Sequence, residues 1–259
     1  MKHPTVGQIA DWINEIAPFE SAESFDNVGL LIGDRTAGVT KVFFTLDLTE
    51  EVALAAARQQ AELIITHHPF IFSPIRRIDY TTPQGRILRL VLENGVSVIA
   101  AHTNWDKAPG GVGDTLAGLL GLEDVTSLDD YVRIGSLPAP VTAEAYQQQI
   151  DHSLHFLPHC YGACDTICRV AVAGGSYGEG YALALKAGAD AFVVGEIKHH
   201  EILDATAQGL VIYDAGHHAT ELPAMPALHE RFKCACQQNG WSIQTCLFTA
   251  PPFAGATHM

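Results

Sequence analysis

Residues 41–68 read KVFFTLDLTEEVALAAARQQAELIITHH, and this stretch predicts a strand, a helix and a second strand. Residues 41–48 are mostly apolar and rich in β-forming side chains. Thr49 is a suitable N-cap for a helix over 49–60, which has acids in its first turn and alanines in its body. The apolar run 62–66 follows as the next strand. Two strands joined by a helix are typical of a parallel sheet covered by helices.

The same alternation extends outward in both directions. In the first half, helices are predicted over 5–18 and 85–95, and a strand over 96–101. The second half predicts strands over 168–174, 189–195 and 210–216, with helices over 178–188 and 199–209. We therefore expect an α/β protein with mainly parallel or mixed sheets covered by helices.

The segments 41–68 and 169–200 look like two versions of one unit, which indicates an internal duplication. We expect two similar α/β halves, one over residues 1–125 that is completed by 210–259, and one over 126–209. Residues 126–165 are less periodic and contain several Pro and Gly residues. They predict a small excursion with a helix of its own over 142–151.

Composition excludes several classes of protein. Hydrophobic residues make up 47% of the chain and charged residues 17%, which excludes a disordered chain. A net charge of −14 repels phosphate backbones, so general nucleic-acid binding is not expected. No apolar run is long enough to cross a bilayer, and the N-terminus lacks the features of a signal peptide. We expect a cytoplasmic protein with no membrane association and reduced cysteines.

Histidines follow four of the predicted strands, in the sequences ITHH, AAHTNWD, VVGEIKHH and DAGHHATE. The carboxyl ends of parallel strands meet at one edge of a sheet, where open α/β folds bind ligands. These histidines are therefore predicted to converge, which places a metal site at the strand ends, between the two halves.

The spacing indicates which side chains reach the site. Neighbouring residues on an extended chain point to opposite sides, so His67 and His68 can reach two ions. His217 and Glu221 are four residues apart on a predicted helix and share a face. Asp106 lies in TNWD, which looks like a loop. The predicted ligands, which suit one or two divalent first-row ions, are His67, His68, Asp106, His217 and Glu221.

Each single signal also has a simpler interpretation. A histidine pair after a strand is more often a surface feature than a pair of ligands. The turn AGGSYGEG, residues 173–180, can present N–H groups to an anion, or it can simply pack a helix on a strand. Arg76 and Arg77 can meet a substrate phosphate or form a solvated turn. Three cysteines are spaced by four residues: Cys160, Cys164 and Cys168. This spacing favours buried free thiols over a thiolate cluster that binds metal.

Five motifs together resemble the Nif-three-like family of dinuclear-metal proteins, whose members are often described as GTP cyclohydrolase I type 2 homologues. They are ESFDNVGLLIGD, LIITHHPFIF, AAHTNWDKAPGGVGDTLAGLLGL, VVGEIKHHEILDA and AGHHATE. The resemblance covers about residues 3–250. It implies two metal ions on the five predicted ligands, with His102 beside them, and a ring-shaped homohexamer. Phe25 replaces the usual tryptophan, and His218 stands where many members have an aromatic residue.

The leading hypothesis is a metal-dependent hydrolase that acts on a small-molecule substrate, GTP or another nucleotide, through a hydroxide that bridges two ions. Glu221 would bridge the ions, while His102, His200 or His218 would transfer protons. Zinc, iron, manganese, cobalt and nickel all fit nitrogen and oxygen ligands. Two alternatives remain open: a dinuclear phosphoesterase, and a non-catalytic hexameric scaffold or metal-handling protein.

Overall fold

A computed structural model describes residues 2–249, which form two compact units. The first unit contains residues up to Ala108 and again from Met225, and the second contains Pro109–Ala224. The predicted halves were divided at 125 and 209, whereas the units change at 108 and 224. Strand pairing contributes to this difference, because the strands over 123–127, 133–141 and 211–214 all belong to the sheet of the second unit.

The first unit contains the strand, helix and strand predicted over residues 41–68. Up to Ala108 its elements are α1 (Val6–Ile16), β1 (Gly29–Ile32), β2 (Lys41–Thr45), α2 (Glu50–Arg58), β3 (Leu63–Thr66), α3 (Pro83–Glu93), β4 (Ser97–Ala100) and α4 (Thr103–Lys107).

The second unit has an uninterrupted chain. Its elements are α5 (Val112–Leu119), β5 (Glu123–Ser127), β6 (Arg133–Val141), α6 (Ala143–Leu154), β7 (His159–Tyr161), β8 (Ile167–Ala173), α7 (Tyr181–Lys186), β9 (Ala191–Val194), α8 (His199–Ala207), β10 (Val211–Asp214) and α9 (His217–Glu221). The chain then continues through α10 (Ala224–Asn239) and returns to the first unit as β11 (Gln244–Phe248).

Each unit is built on one sheet whose central strands are parallel. The first sheet has the order β1-β4-β3-β2-β11, with only β1 antiparallel to its neighbour. The second has the order β5-β6-β8-β9-β10-β7, in which β8, β9 and β10 are parallel and the other pairs antiparallel. Both sheets thus contain the strand–helix–strand–helix–strand unit that the sequence predicted, and the α/β class is confirmed.

Helix starts follow the local sequence. Thr5 forms a complete capping box with Gln8 at the start of α1, and Thr49 accepts from the Val52 N–H at the start of α2. Thr82 caps α3, whose first residue is proline, and Thr142 caps α6. Each such cap contributes about 1 kcal/mol to helix stability.

Successive strand residues point to opposite faces, and helices cover both faces of each sheet. In β2, Phe43 packs in a cluster with Val52 of α2 and Ile87 of α3. The ring of Phe44 lies 5.3 Å from that of Phe232 in α10, on the other face. A parallel strand that is covered on both faces buries successive side chains on both sides, so its sequence is a continuous apolar run. This explains why β2, β3 and β4 are so apolar.

The main departure from prediction lies in residues 126–165. This segment supplies β6, a nine-residue strand inside the second sheet, where the sequence predicted an excursion. Pro138 and Pro140 obscure the pattern, and the pairing of β6 with β8 is irregular between Ser136 and Val141. None of the helices in residues 2–249 has the length and apolar character needed to span a membrane.

Candidate metal centre

Three histidines of the first unit form a compact group at the ends of two neighbouring strands. Thr66 and Ala100 end β3 and β4 and pair with each other, and His67 and His102 follow them. One ring nitrogen from each of three residues, His67, His68 and His102, lies within 4.8 Å of the others. His67 is buried, whereas the rings of the other two are partly exposed. Parallel pairing therefore brings residues 35 positions apart into one group.

Each ring in this group makes a hydrogen bond through Nδ1 to an oxygen atom. Nδ1 of His67 lies 2.9 Å from the carbonyl oxygen of Ala101. Nδ1 of His68 lies 2.7 Å from Oδ1 of Asp47, and that of His102 lies 2.9 Å from Oδ1 of Asp26. A carbonyl or ionised carboxylate can only accept, so Nδ1 donates in all three bonds. In a neutral ring the lone pair is then on Nε2, which can bind a metal.

Asp106 belongs to the same part of the first unit. Its Oδ1 lies 3.5 Å from Nε2 of His67. His67 therefore lies between two acceptors, the Ala101 carbonyl at Nδ1 and the Asp106 carboxylate at Nε2. A neutral imidazole has one proton and satisfies only one of them. A cation at Nε2 would satisfy the other contact.

Two local predictions about this group are corrected. TNWD is not a loop but the short helix α4, in which the Asp106 N–H donates to the His102 carbonyl, and this turn carries Asp106 toward His67. His67 and His68 do not diverge as strand neighbours would, because β3 ends at Thr66; their ring centroids are 5.0 Å apart.

The second unit has its own histidine–carboxylate group. His217, the first residue of α9, places Nε2 3.1 Å from Oε2 of Glu221, one helical turn later. Its Nδ1 lies 3.2 Å from Oε1 of Glu196, which follows β9. The Glu221 side chain is 4% exposed, so this carboxylate is nearly removed from water. His217, like His67, lies between two acceptors.

A glycine turn closes around Glu221. Gly174 and Gly175 follow β8, and Gly175 has a φ of +59°. A Cβ atom on Gly175 would clash with Oε1 of Glu221. The N–H of Gly175 donates to the hydroxyl of Thr220, which fixes the turn against α9. The start of AGGSYGEG therefore packs against α9, and the absence of a side chain at Gly175 leaves room for the Glu221 carboxylate.

The other residues noted in the sequence are exposed or partly buried. His200 is exposed near the start of α8, and His218 is half-buried in α9. In residues 2–249 neither belongs to a group of three potential ligands with atoms within 4.8 Å of one another. Arg76 and Arg77 are exposed. The three cysteines spaced by four residues are only partly buried; they are Cys160, Cys164 and Cys168.

Asp26 and Asp47 are site residues that were not among the predicted ones, and Gly175 was noted only as part of the turn 173–180. Asp26 is far from His102 in sequence, and its side chain is fully buried. Burial alone would raise the pKa of Asp26, but hydrogen bonds from His102 and Thr103 outweigh it and hold that pKa well below its ordinary value. The sequence signal for Asp26 was its position within ESFDNVGLLIGD, one of the five motifs of the family resemblance.

The two groups have the chemistry of a divalent-metal site. They combine neutral imidazoles with carboxylates, a donor set that suits first-row divalent ions. Carboxylates or a carbonyl hold the Nδ1 atoms of the histidines, as in proteins whose histidines bind metals through Nε2. The protein is thus a mixed α/β protein whose strand ends carry residue groups that can hold a metal ion.

Comparison with known proteins identifies the family. A model described as Duf34/NIF3 (NGG1p interacting factor 3) matches residues 4–252, and the chain belongs to this family. A Clostridium perfringens protein named GTP cyclohydrolase 1 type 2 homolog is 35% identical over 238 residues, covering 88% of this chain and 91% of that protein.

Solved structures have the same fold. A Bacillus cereus protein related to NIF3 has a TM-score of 0.94 at 21% identity, and the match covers 99% of this chain and 100% of that chain. A Staphylococcus aureus hypothetical protein has a TM-score of 0.91 at 27% identity, with 97% and 99% covered. The two-sheet architecture is therefore that of the family.

Proposed function

We propose that this protein is a metal-dependent hydrolase that acts on a nucleotide, in a reaction like that of GTP cyclohydrolase I type 2. In this proposal the chain binds two divalent ions through five residues: His67, His68, Asp106, His217 and Glu221. Zinc, iron, manganese, cobalt and nickel are the candidate ions, because all accept nitrogen and oxygen ligands.

One observation carries the proposal, namely that two histidines lie between two proton acceptors each. His67 contacts the Ala101 carbonyl and Asp106, and His217 contacts Glu196 and Glu221. Metal-free protein needs a second proton on each ring to satisfy both acceptors. A divalent cation supplies the positive charge without that proton, and it also balances carboxylates that are largely buried.

The chain's own residues supply the rest of the chemistry. When bound, two divalent ions lower the pKa of a water molecule toward neutrality and so provide a nucleophile. Asp106 and Glu221 contribute negative charge that holds the ions. His102, partly exposed and hydrogen-bonded to Asp26 through Nδ1, is one of the proposed proton-transfer residues. His200 and His218 are the other two.

A nucleotide substrate is supported by a relative's name and by aromatic side chains beside His102. The Clostridium perfringens relative is named for GTP cyclohydrolase 1 type 2. Phe72 is 49% exposed, with its ring centroid 6.3 Å from that of His102, and Phe25 is 64% exposed and 6.4 Å from Phe72. Exposed aromatic rings can stack on a purine base. Water would add to the carbon between the imidazole-ring nitrogens of guanine, and a C–N bond would break.

We also propose an assembly and a location for the protein. We expect a ring-shaped homohexamer in the cytoplasm, in accordance with the family resemblance of the five motifs. Light scattering of the purified protein measures the mass directly, and a mass of six chains is the expected result. A monomer or dimer would contradict the hexamer without affecting the metal proposal.

The first experiment measures metal per chain in protein purified without an affinity tag or chelator, beside Glu221→Gln. Two ions per chain in the wild type and clear loss in the variant are expected. The loaded protein is then incubated with GTP and, separately, with a phosphate monoester. Ring opening of GTP supports the cyclohydrolase, whereas ester cleavage alone indicates a phosphoesterase. Two bound ions with no turnover of any nucleotide would favour the metal-binding scaffold and overturn the hydrolase.

A further inference from the structure

The carboxylate of Asp26 lies against the ring of His102, just after the end of β4. Its side chain is fully buried, while the His102 side chain is 17% exposed. Oδ1 of Asp26 lies 2.9 Å from Nδ1 of His102. Oδ2 accepts from both the backbone N–H and the hydroxyl of Thr103. One aspartate thus holds two successive residues at the end of β4.

The direction of each of these hydrogen bonds is determined by its surroundings. The Thr103 backbone N–H can only donate, so the Asp26 oxygen that it meets must be an acceptor. The Thr103 hydroxyl already accepts from the N–H of Glu23, and it gives its own proton to Asp26. The remaining carboxylate oxygen faces Nδ1 of His102. Because an ionised carboxylate has no proton, His102 must carry its proton on Nδ1.

We propose that Asp26 is a positioning residue that fixes His102 in the Nδ1–H tautomer and so keeps the lone pair of Nε2 available to the three-histidine group. This inference deepens the proposed function by adding His102, through Nε2, to the five residues that bind the ions, so that proton transfer falls to His200 or His218. For its metal-binding part it rests on that function. The carboxylate acts through His102 and does not itself contact a metal or substrate.

The same geometry predicts what an asparagine at this position would do. In Asp26→Asn the amide oxygen must take the place that faces the Thr103 N–H, because an NH₂ group there would oppose another donor. The amide NH₂ group is then left facing Nδ1 of His102. An NH₂ group can only donate, so His102 must accept at Nδ1 and move its proton to Nε2. A change of one atom is therefore expected to invert the tautomer while the fold remains.

The first measurement uses metal-free, ¹⁵N-histidine-labelled protein well above the ordinary histidine pKa of about 6.5. Long-range ¹H–¹⁵N spectra distinguish the protonated from the unprotonated ring nitrogen, and His102→Gln assigns the signals. We expect Nδ1–H in the wild type and Nε2–H in Asp26→Asn. A purely structural role for Asp26 would leave the tautomer unchanged.

The second measurement is Zn²⁺ affinity by competition with a chromophoric chelator. Loss of a carboxylate that orients a metal-binding histidine costs about 10-fold to 100-fold in affinity, and Asp26→Asn is expected to fall in this range. Asp34→Asn is the matched control, because Asp34 also accepts from the backbone N–H and the hydroxyl of a threonine, Thr36, but is exposed. The control is expected to bind Zn²⁺ like the wild type.

The outcomes separate the two proposals. An unchanged His102 tautomer in a folded Asp26→Asn protein would overturn the inference, and so would an inverted tautomer with unchanged Zn²⁺ affinity. Wild-type protein that binds no Zn²⁺ or other divalent ion would overturn the proposed function and the metal-binding part of this inference. The tautomer spectra of that protein would still show whether Asp26 controls His102.

Discussion

Nε2 of His217 lies 3.1 Å from Oε2 of Glu221, and that carboxylate is almost fully buried. The pair is one helical turn apart in α9, so the contact is set by local geometry. Its burial is not local, because the Gly174–Gly175 turn encloses the carboxylate from another strand end. A buried carboxylate needs charge compensation, and a divalent cation is well suited to provide it.

Glu221→Gln should abolish or strongly reduce metal binding without unfolding the protein, because glutamine keeps the shape of the side chain but removes its charge. Metal analysis checks the content, and thermal unfolding checks the fold. Adding metal at about 100 times its dissociation constant should stabilise the wild type by about 2.7 kcal/mol per site. The variant should show little of this stabilisation. A variant that retains both ions would contradict the assigned role of Glu221.

Gly175→Ala should damage both stability and metal binding, because a Cβ atom would enter the space of the Glu221 carboxylate. Gly188→Ala is the matched control, since Gly188 also has a positive φ, +72°, but open space where a Cβ would lie. Both substitutions cost about 1–3 kcal/mol of backbone strain. Only Gly175→Ala should also lower metal affinity. Equal metal affinity in the two variants, measured by chelator competition, would show that the turn does not support Glu221.

Phe72→Ala should raise the KM for a nucleotide substrate, because it removes an exposed ring beside His102. Stacking of a base on an aromatic ring is worth about 1–3 kcal/mol, so an increase of roughly fivefold or more is expected. Ile78→Ala removes a similarly exposed apolar side chain of the same segment and serves as the control. If the two variants have the same KM, Phe72 does not contact the base.

His229 should make the first unit less stable in acid. Burial, together with the nearby charge of Lys233, lowers the pKa of His229 below its ordinary value of 6.5. Its Nε2 lies 2.8 Å from the hydroxyl of Thr245. Around and below pH 6.5, His229 binds a proton more readily in the unfolded chain than in the folded chain. The free energy of unfolding therefore falls as pH is lowered.

Urea unfolding of metal-free protein between about pH 7 and pH 5 tests this expectation. His229→Gln should have a smaller fall in unfolding free energy over this range than the wild type. His152→Gln, at an exposed position of α6, should behave like the wild type. Parallel pH profiles for wild type and His229→Gln would exclude a contribution from His229.

Much of the fold was predictable because it depends on local patterns. The strands β2, β3 and β4 are apolar runs of the expected length, and the predicted cap Thr49 precedes α2. The pattern failed at β6, where two prolines interrupt the run, and at α4, where TNWDK gives no helical signal of its own. Both elements are stabilised by partners distant in sequence. The predicted hydrolase activity, hexamer and ligand set remain predictions.

The sequence by itself determined the α/β class, the strand–helix alternation and the residue types available for metal binding, because these depend on periodicity and on chemistry carried by short motifs. Only the tertiary structure decided which oxygen holds each histidine. Asp26 meets His102 across 76 positions of sequence, and Asp47 meets His68 across 21. Such contacts depend on strand register and on the exact path of the turns, and no local pattern contains that information.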